Sequence, residues 1–203
     1  MVAIVDYNMG NLGSVLNAFD KVGVKAKLVS KPEKLKEFGR VVLPGVGAFP
    51  DAMEHLKSSG MDKAIVEFAS SGKPLMGTCL GMQLLLDESE EFGINRGLGL
   101  IPGRVQAFDK SRFDHTLKVP HMGWNELFIQ SQNPLFEGLP DAFYLYFVHS
   151  FHVVTESRYV IGNTYYGYTF ASAIAKDNIY GFQPHPEKSH NNGLKIIKNF
   201  ASL

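Results

Sequence analysis

The chain has one cysteine in 203 residues, no excess of either charge and no long apolar run. A lone cysteine excludes an internal disulfide framework, so the fold must rest on its own core, and a chain of this length can bury one. Lysine plus arginine number 20 and aspartate plus glutamate number 20. That balance argues against nucleic acid and against an anionic membrane surface as partners. No apolar stretch approaches the roughly 18 residues of a membrane-spanning helix. Met1–Asp6 is too short, and lacks the basic leader, for a signal peptide. A cytoplasmic protein is expected. No repeat, low-complexity tract or long linker breaks the sequence, so 1–203 is read as one domain.

The first half alternates strand and helix patterns. Apolar runs at Val2–Val5, Lys25–Val29, Val41–Leu43 and Leu75–Met76 read as buried strands. Between them, Asn11–Val22 has Val15, Leu16, Phe19 and Val22 on one helical face, and Asp51–Ser71 has helical periodicity interrupted at Gly60. This alternation predicts an α/β fold, a doubly wound, mostly parallel sheet with ligands at the carboxyl ends of its strands. The second half is richer in strands, at 105–108, 126–129, 143–148, 159–163, 171–175 and 179–183. It ends in a helix over 193–201 with Leu194, Ile197 and Phe200 inward.

The cysteine sits in Pro74-Leu75-Met76-Gly77-Thr78-Cys79-Leu80-Gly81-Met82-Gln83. A short strand, the pattern Gly-x-Cys-x-Gly and a helical stretch over 82–86 form the layout of a nucleophile elbow, with sulfur as the nucleophile. The helix N-terminus and a nearby cationic histidine would favour the thiolate. Pro184-His185-Pro186-Glu187 supplies the base. In an extended segment His185 and Glu187 share a face, so the carboxylate can orient the ring while the other nitrogen addresses Cys79. Attack on a carboxamide creates an oxyanion that needs two N–H donors. Leu80 offers one; Gly45-Val46-Gly47, a flexible loop after the third strand, fits the second. Gln83 lies one helical turn beyond Cys79, on a similar face. His149 and His152 read as one core and one surface histidine. They lack a third ligand at a recognisable spacing, so no metal and no cofactor are expected.

Gly-x-Cys-x-Gly-Met-Gln together with His-Pro-Glu-Lys-Ser resembles the class I, triad-type glutamine amidotransferases, which have a flavodoxin-like fold. Asp6-Tyr7-Asn8-Met9-Gly10-Asn11-Leu12, Leu43-Pro44-Gly45-Val46-Gly47 and Pro120-His121-Met122-Gly123-Trp124-Asn125 narrow the resemblance to the glutaminase subunits of imidazole glycerol phosphate synthases, over about Val2 to Phe200. The resemblance implies catalysis by Cys79, His185 and Glu187 on L-glutamine, and an oxyanion loop at Val46 and Gly47 that reorients before donating. It implies substrate contacts at Gly45, Gln83, Ser150 and Phe151. It also implies ammonia transfer to a cyclase subunit of (β/α)-barrel type in histidine biosynthesis, through an interface including Asn11, His121, Met122, Trp124, Tyr146 and Lys188. Tryptophan is over-represented at interface hot spots, and Trp124 is the only one.

Thr78, Pro184 and Asn8 stand where the family usually has a branched aliphatic residue, phenylalanine and glycine. They leave open a paralogue that feeds ammonia to a sugar- or glycan-modifying synthase. A cysteine hydrolase or peptidase without a partner is a second alternative; it would not need Gln83, Ser150 or an exposed Trp124. A catalytically silent binding module is a third.

Overall fold

A computed structural model describes residues 1–203. The first half is built from β1 (Val2–Val5), α1 (Leu12–Lys21), β2 (Ala26–Val29), β3 (Arg40–Leu43), α2 (Phe49–Ser59), α3 (Met61–Ser70), β4 (Leu75–Thr78) and α4 (Leu80–Leu84). The second half adds β5 (Glu88–Ser89), β6 (Asn95–Arg96), β7 (Arg104–Ala107), β8 (His121–Ile129), β9 (Ala142–His149) and β10 (Phe151–Val154). It closes with β11 (Val160–Tyr165), β12 (Thr169–Lys176), β13 (Ile179–Phe182) and α5 (His190–Ser202).

One sheet runs β2-β1-β3-β4-β13-β12-β10-β7-β5-β6. Its first five strands are parallel, and β12 then begins an antiparallel stretch. Both faces of the central parallel strands β1, β3, β4 and β13 are covered, as their largely apolar sequences require. On one face Phe49, Leu56, Met61 and Ile65 of α2 and α3 join a core with Val41, Leu43 and Leu75. On the other, Val15 and Phe19 of α1 meet Ile196, Ile197 and Phe200 of α5 over Ile4, Val42 and Phe182. The side chain of Asn11 accepts from Ser14 N–H and caps α1. Gly60, at φ +75°, separates α2 from α3 where the periodicity breaks.

The boundaries depart from the sequence pattern at several places. Residues 121–125 are not a loop before a strand at 126; β8 runs through them, with Gly123 at φ +131°. The glycine and Pro120 mask an alternation that continues to Ile129. β10 had no sequence counterpart, since its four residues are few and His152 interrupts their apolar run. β5 and β6 have two residues each, too few to carry a period. In α5 it is Ile196 that is fully buried, while Leu194 packs half-buried against the core.

Candidate active site

Three adjacent parallel strands, β3, β4 and β13, deliver their carboxyl ends to one edge of the sheet. Leu43 pairs with Gly77 and Phe182 with Thr78. The chain after β3 is therefore the Pro44–Gly47 loop, the chain after β4 begins at Cys79, and that after β13 reaches His185. Cys79 N–H donates to Phe182 O at 2.7 Å, tying two of these ends together.

Cys79 takes φ +53° and ψ −116°, a strained conformation costing about 1–3 kcal/mol that persists only where its surroundings impose it. Its two glycine neighbours impose it. A Cβ on Gly81 would lie 1.8 Å from Leu43 O, and one on Gly77 would lie 2.5 Å from Gly81 O. Gly-x-Cys-x-Gly is thus a steric requirement of this turn. α4 begins at Leu80, two residues earlier than the pattern placed it, and has only five residues. So short a helix aligns few peptide dipoles, and His185 is the stronger positive influence at the sulfur.

His185 and Glu187 meet as expected, but not in an extended segment. Residues 186–188 form a 3-10 turn, in which Lys188 N–H donates to His185 O, and His185 N–H donates to Tyr146 O at 2.9 Å. The flanking prolines stop an α-helix without forbidding a tight turn, whose first residue Pro suits. Nδ1 of His185 lies 2.7 Å from Oε1 of Glu187, both side chains being almost wholly buried. Nε2 is buried and makes no hydrogen bond of full geometry. The neighbouring Cys79 sulfur nevertheless acts on the ring. Burial lowers the pKa of His185, but hydrogen bonding and charge from the sulfur and from Glu187 more than offset it and raise it to about 10. Catalytic contacts commonly tighten once substrate is held.

A cavity of about 330 Å³ opens on the sulfur, small for a ligand site and suited to an amino acid. Cys79, His185 and Gln83 line it, with Val46, Gly47 and Leu80 at one side and Ser150 and Phe151 at another. The N–H groups of Leu80, Val46 and Gly47 are not spent on backbone partners. Gly45 lies outside the lining, pressed against the elbow: its Cβ would meet Tyr7 Oη at 2.7 Å and Leu80 Cβ at 3.0 Å. Tyr7 Oη donates to Pro44 O at 2.9 Å and steadies the loop. Gln83 donates to Phe151 O at 3.1 Å and to Gln183 Oε1 at 3.0 Å, so both its amide hydrogens are used inside the protein.

Sequence reasoning missed Glu91, Pro120 and Val148 in the lining. Glu91 Oε2 accepts from Phe49 N–H at 2.8 Å, at the start of α2. Burial, with a smaller push from Asp51, raises its carboxyl pKa against that bond. Nothing in the local sequence marks Glu91, since only the short β5–β6 hairpin brings it to the cavity.

The residues expected at a partner surface divide. On β8 and β9 Met122 pairs with Val148 and Trp124 with Tyr146, placing these side chains on one face. Met122 and Trp124 are exposed there, Trp124 stacks on His190 at 5.0 Å, and Lys188 and Asn11 are also exposed. His121 is not at that surface. It points the other way from β8 and is 2 % exposed, stacked between Phe147 and Tyr166. The alternation of β8 decides this, and a loop reading could not see it. His152 is likewise no surface histidine: it is buried against Tyr168 Oη at 2.8 Å.

The model of the class-I glutamine amidotransferase family matches residues 3–202. The chain belongs to that family. It is 62 % identical over 202 residues to the imidazole glycerol phosphate synthase subunit HisH of Sulfurimonas denitrificans, covering 99 % of this chain and 97 % of the relative. It is 57 % identical to the HisH subunit of Wolinella succinogenes, over the whole of both chains. A solved glutamine amidotransferase superposes with a TM-score of 0.77 over 100 % of both chains at 19 % identity, a likeness of fold. Asn8 takes φ +66°, a left-handed position that asparagine tolerates.

Proposed function

We propose that this amidotransferase is the glutaminase subunit of an imidazole glycerol phosphate synthase. It hydrolyses L-glutamine to glutamate and hands the ammonia to a cyclase subunit of (β/α)-barrel type, for histidine biosynthesis. The observation that carries the reading is one cavity in which Cys79 and His185 meet beside three unspent N–H groups, in a chain 62 % identical to a HisH subunit over nearly its full length.

With its pKa raised to about 10, the His185 ring is an imidazolium at neutral pH, and the attacking form of Cys79 is the thiolate. Sγ attacks the side-chain carbonyl carbon of glutamine, and the oxyanion is taken by Leu80 N–H and an N–H of the Val46–Gly47 loop. The intermediate collapses as His185 gives its Nε2 proton to the leaving nitrogen, which departs as ammonia. A γ-glutamyl thioester remains on Cys79. The neutral ring then takes a proton from water, whose hydroxide displaces the sulfur and frees glutamate. Glu187 holds the ring through Nδ1 and stabilises its charged form. Glu91 suits the α-ammonium of the substrate, and Ser150 its carboxylate.

The cyclase would dock on the face carrying Met122, Trp124, Tyr146 and Val148, with Asn11 and Lys188 nearby at its rim. An exposed apolar face of this kind marks a binding surface and favours a partnered enzyme over a partner-free hydrolase. Full-length identity to HisH subunits outweighs Thr78, Pro184 and Asn8 as pointers to a sugar-modifying paralogue. Rapid acid quenching of the protein with glutamine tests the chemistry. A γ-glutamyl mass on the Cys79 peptide is expected; its absence, or glutamine hydrolysis by Cys79→Ala, refutes it.

A further inference from the structure

A file of buried polar side chains leaves the cavity toward β8. Nδ1 of His149 lies 2.8 Å from Phe151 O, and Nε2 of His149 lies 2.9 Å from Nδ1 of His121. Nε2 of His121 lies 3.1 Å from Nδ2 of Asn125, which also donates to Tyr165 O at 2.9 Å. A carbonyl only accepts, so His149 carries its proton on Nδ1 and accepts at Nε2. His121 must then also carry its proton on Nδ1 and accept at Nε2. The far end gives the same polarity independently. Asn125 Oδ1 is occupied by Glu126 N–H at 2.8 Å, so the amide nitrogen is the atom turned to His121. The file closes only while both rings are neutral. Burial keeps them so, lowering the pKa of His121 to about 4 and that of His149 well below the usual histidine range.

The file continues beyond Phe151. The same carbonyl accepts from Gln83, Gln83 donates to Gln183, and Gln183 Nε2 lies 3.9 Å from Cys79 Sγ as a donor to the sulfur. Gln183 is fully buried. The inner side of β8 is thereby joined to the nucleophile, while the outer side of the same strand carries Met122 and Trp124. Two buried imidazoles are an expensive way to fill a core, and a phenylalanine would pack between Phe147 and Tyr166 as well as His121 does. None of the proton transfers in the mechanism uses either ring.

We infer that His121 and His149 are positioning residues, held as Nδ1–H tautomers, that fix the Phe151 carbonyl and through Gln83 and Gln183 set the substrate cavity and the sulfur in register with β8. The inference rests on the glutaminase reading for its effect on turnover, but its tautomers are observable without any activity. Long-range ¹H–¹⁵N correlation on the full-length, histidine-labelled chain at neutral pH, with His121 and His149 assigned by single substitutions, is expected to show both of these rings protonated at Nδ1 and bare at Nε2. An Nε2–H tautomer or an imidazolium at either ring overturns the inference, whether or not the chain hydrolyses glutamine. His121→Phe keeps the stacking and removes both nitrogens. With the cyclase present, it is expected to raise the glutamine KM about tenfold, the scale of a lost buried partner, while kcat moves less than about threefold. Asn125→Leu should add little in the double variant, because both break one file. An unchanged KM, or fully additive effects, overturns the positioning role. If His121→Phe does not fold, the tautomers of the unsubstituted chain decide alone.

Discussion

The two walls of the cavity are held by different forces. The elbow wall, from Gly45 through Cys79 to Gly81, is fixed by backbone against backbone: a methyl group at Gly81 would lie 1.8 Å from Leu43 O. The opposite wall, Val148 to Phe151, is fixed by side-chain hydrogen bonds, from His149 and Gln83 to one carbonyl. Close packing tolerates no substitution but states itself locally in glycine spacing. A hydrogen-bond file tolerates graded damage and states itself nowhere locally, because its members come from four strands and a helix.

The largest effects should come at the reacting atoms. Cys79→Ala should cut glutamine hydrolysis by about 10⁶-fold, and His185→Asn nearly as much, since members of one catalytic unit do not add. Turnover by the cyclase with added ammonium salt should survive both. A steady-state glutaminase assay beside an ammonium assay checks this, and comparable losses in the two would place these residues outside the chemistry.

Next comes a direct test of the elbow wall. Gly81→Ala should cost more than about 4 kcal/mol, the range reserved for a specific steric failure, or prevent folding. His121→Phe on the opposite wall should cost far less. Denaturant unfolding of both variants measures the contrast, and equal costs would erase the distinction between the walls.

The difference also explains what was legible in the sequence. Gly77, Cys79 and Gly81 are close neighbours in the chain, so the elbow turn and the parallel sheet behind it could be read directly. His185 and Glu187 were paired correctly on a wrong conformation: the turn at Pro186 brings them together where an extended strand was expected. His121 was misplaced because Pro120 and Gly123 hid the start of β8, and one residue of alternation turns a side chain from the surface to the core. Glu91 was invisible because β5 and β6 are too short to announce a hairpin.

A smaller effect concerns Glu187. The His185 pKa is raised from 6.5 to about 10, so its contribution to folding is complete below pH 6.5 and is lost as pH rises through about 10. Glu187→Gln removes one raising influence. The ring should then titrate lower, stability should fall away earlier on the alkaline side, and kcat should drop less than in His185→Asn, since the orienting group transfers no proton. An NMR titration of His185 in both proteins checks the direction; an unchanged pKa would remove Glu187 from the site.

The smallest expected change to the chain itself is at its outer face. Trp124 is 47 % exposed, so Trp124→Ala should leave the unfolding transition nearly in place while weakening cyclase binding by about tenfold or more. Titration calorimetry with the purified cyclase reads both the affinity and its loss. A variant that binds normally would move the interface away from the β8–β9 face.

Glutamate release by the intact chain, measured alone and then with the cyclase and its nucleotide ligand, tests the central proposal most directly. An ammonia-delivering subunit should waste little glutamine, and an oxyanion loop that donates only in the complex withholds on the order of 10²–10³ in rate. Slow release alone, stimulated by roughly that factor when cyclase and ligand are added, is the expected result. Full activity in the isolated chain, unchanged by the cyclase, would contradict it and leave a partner-free hydrolase in its place.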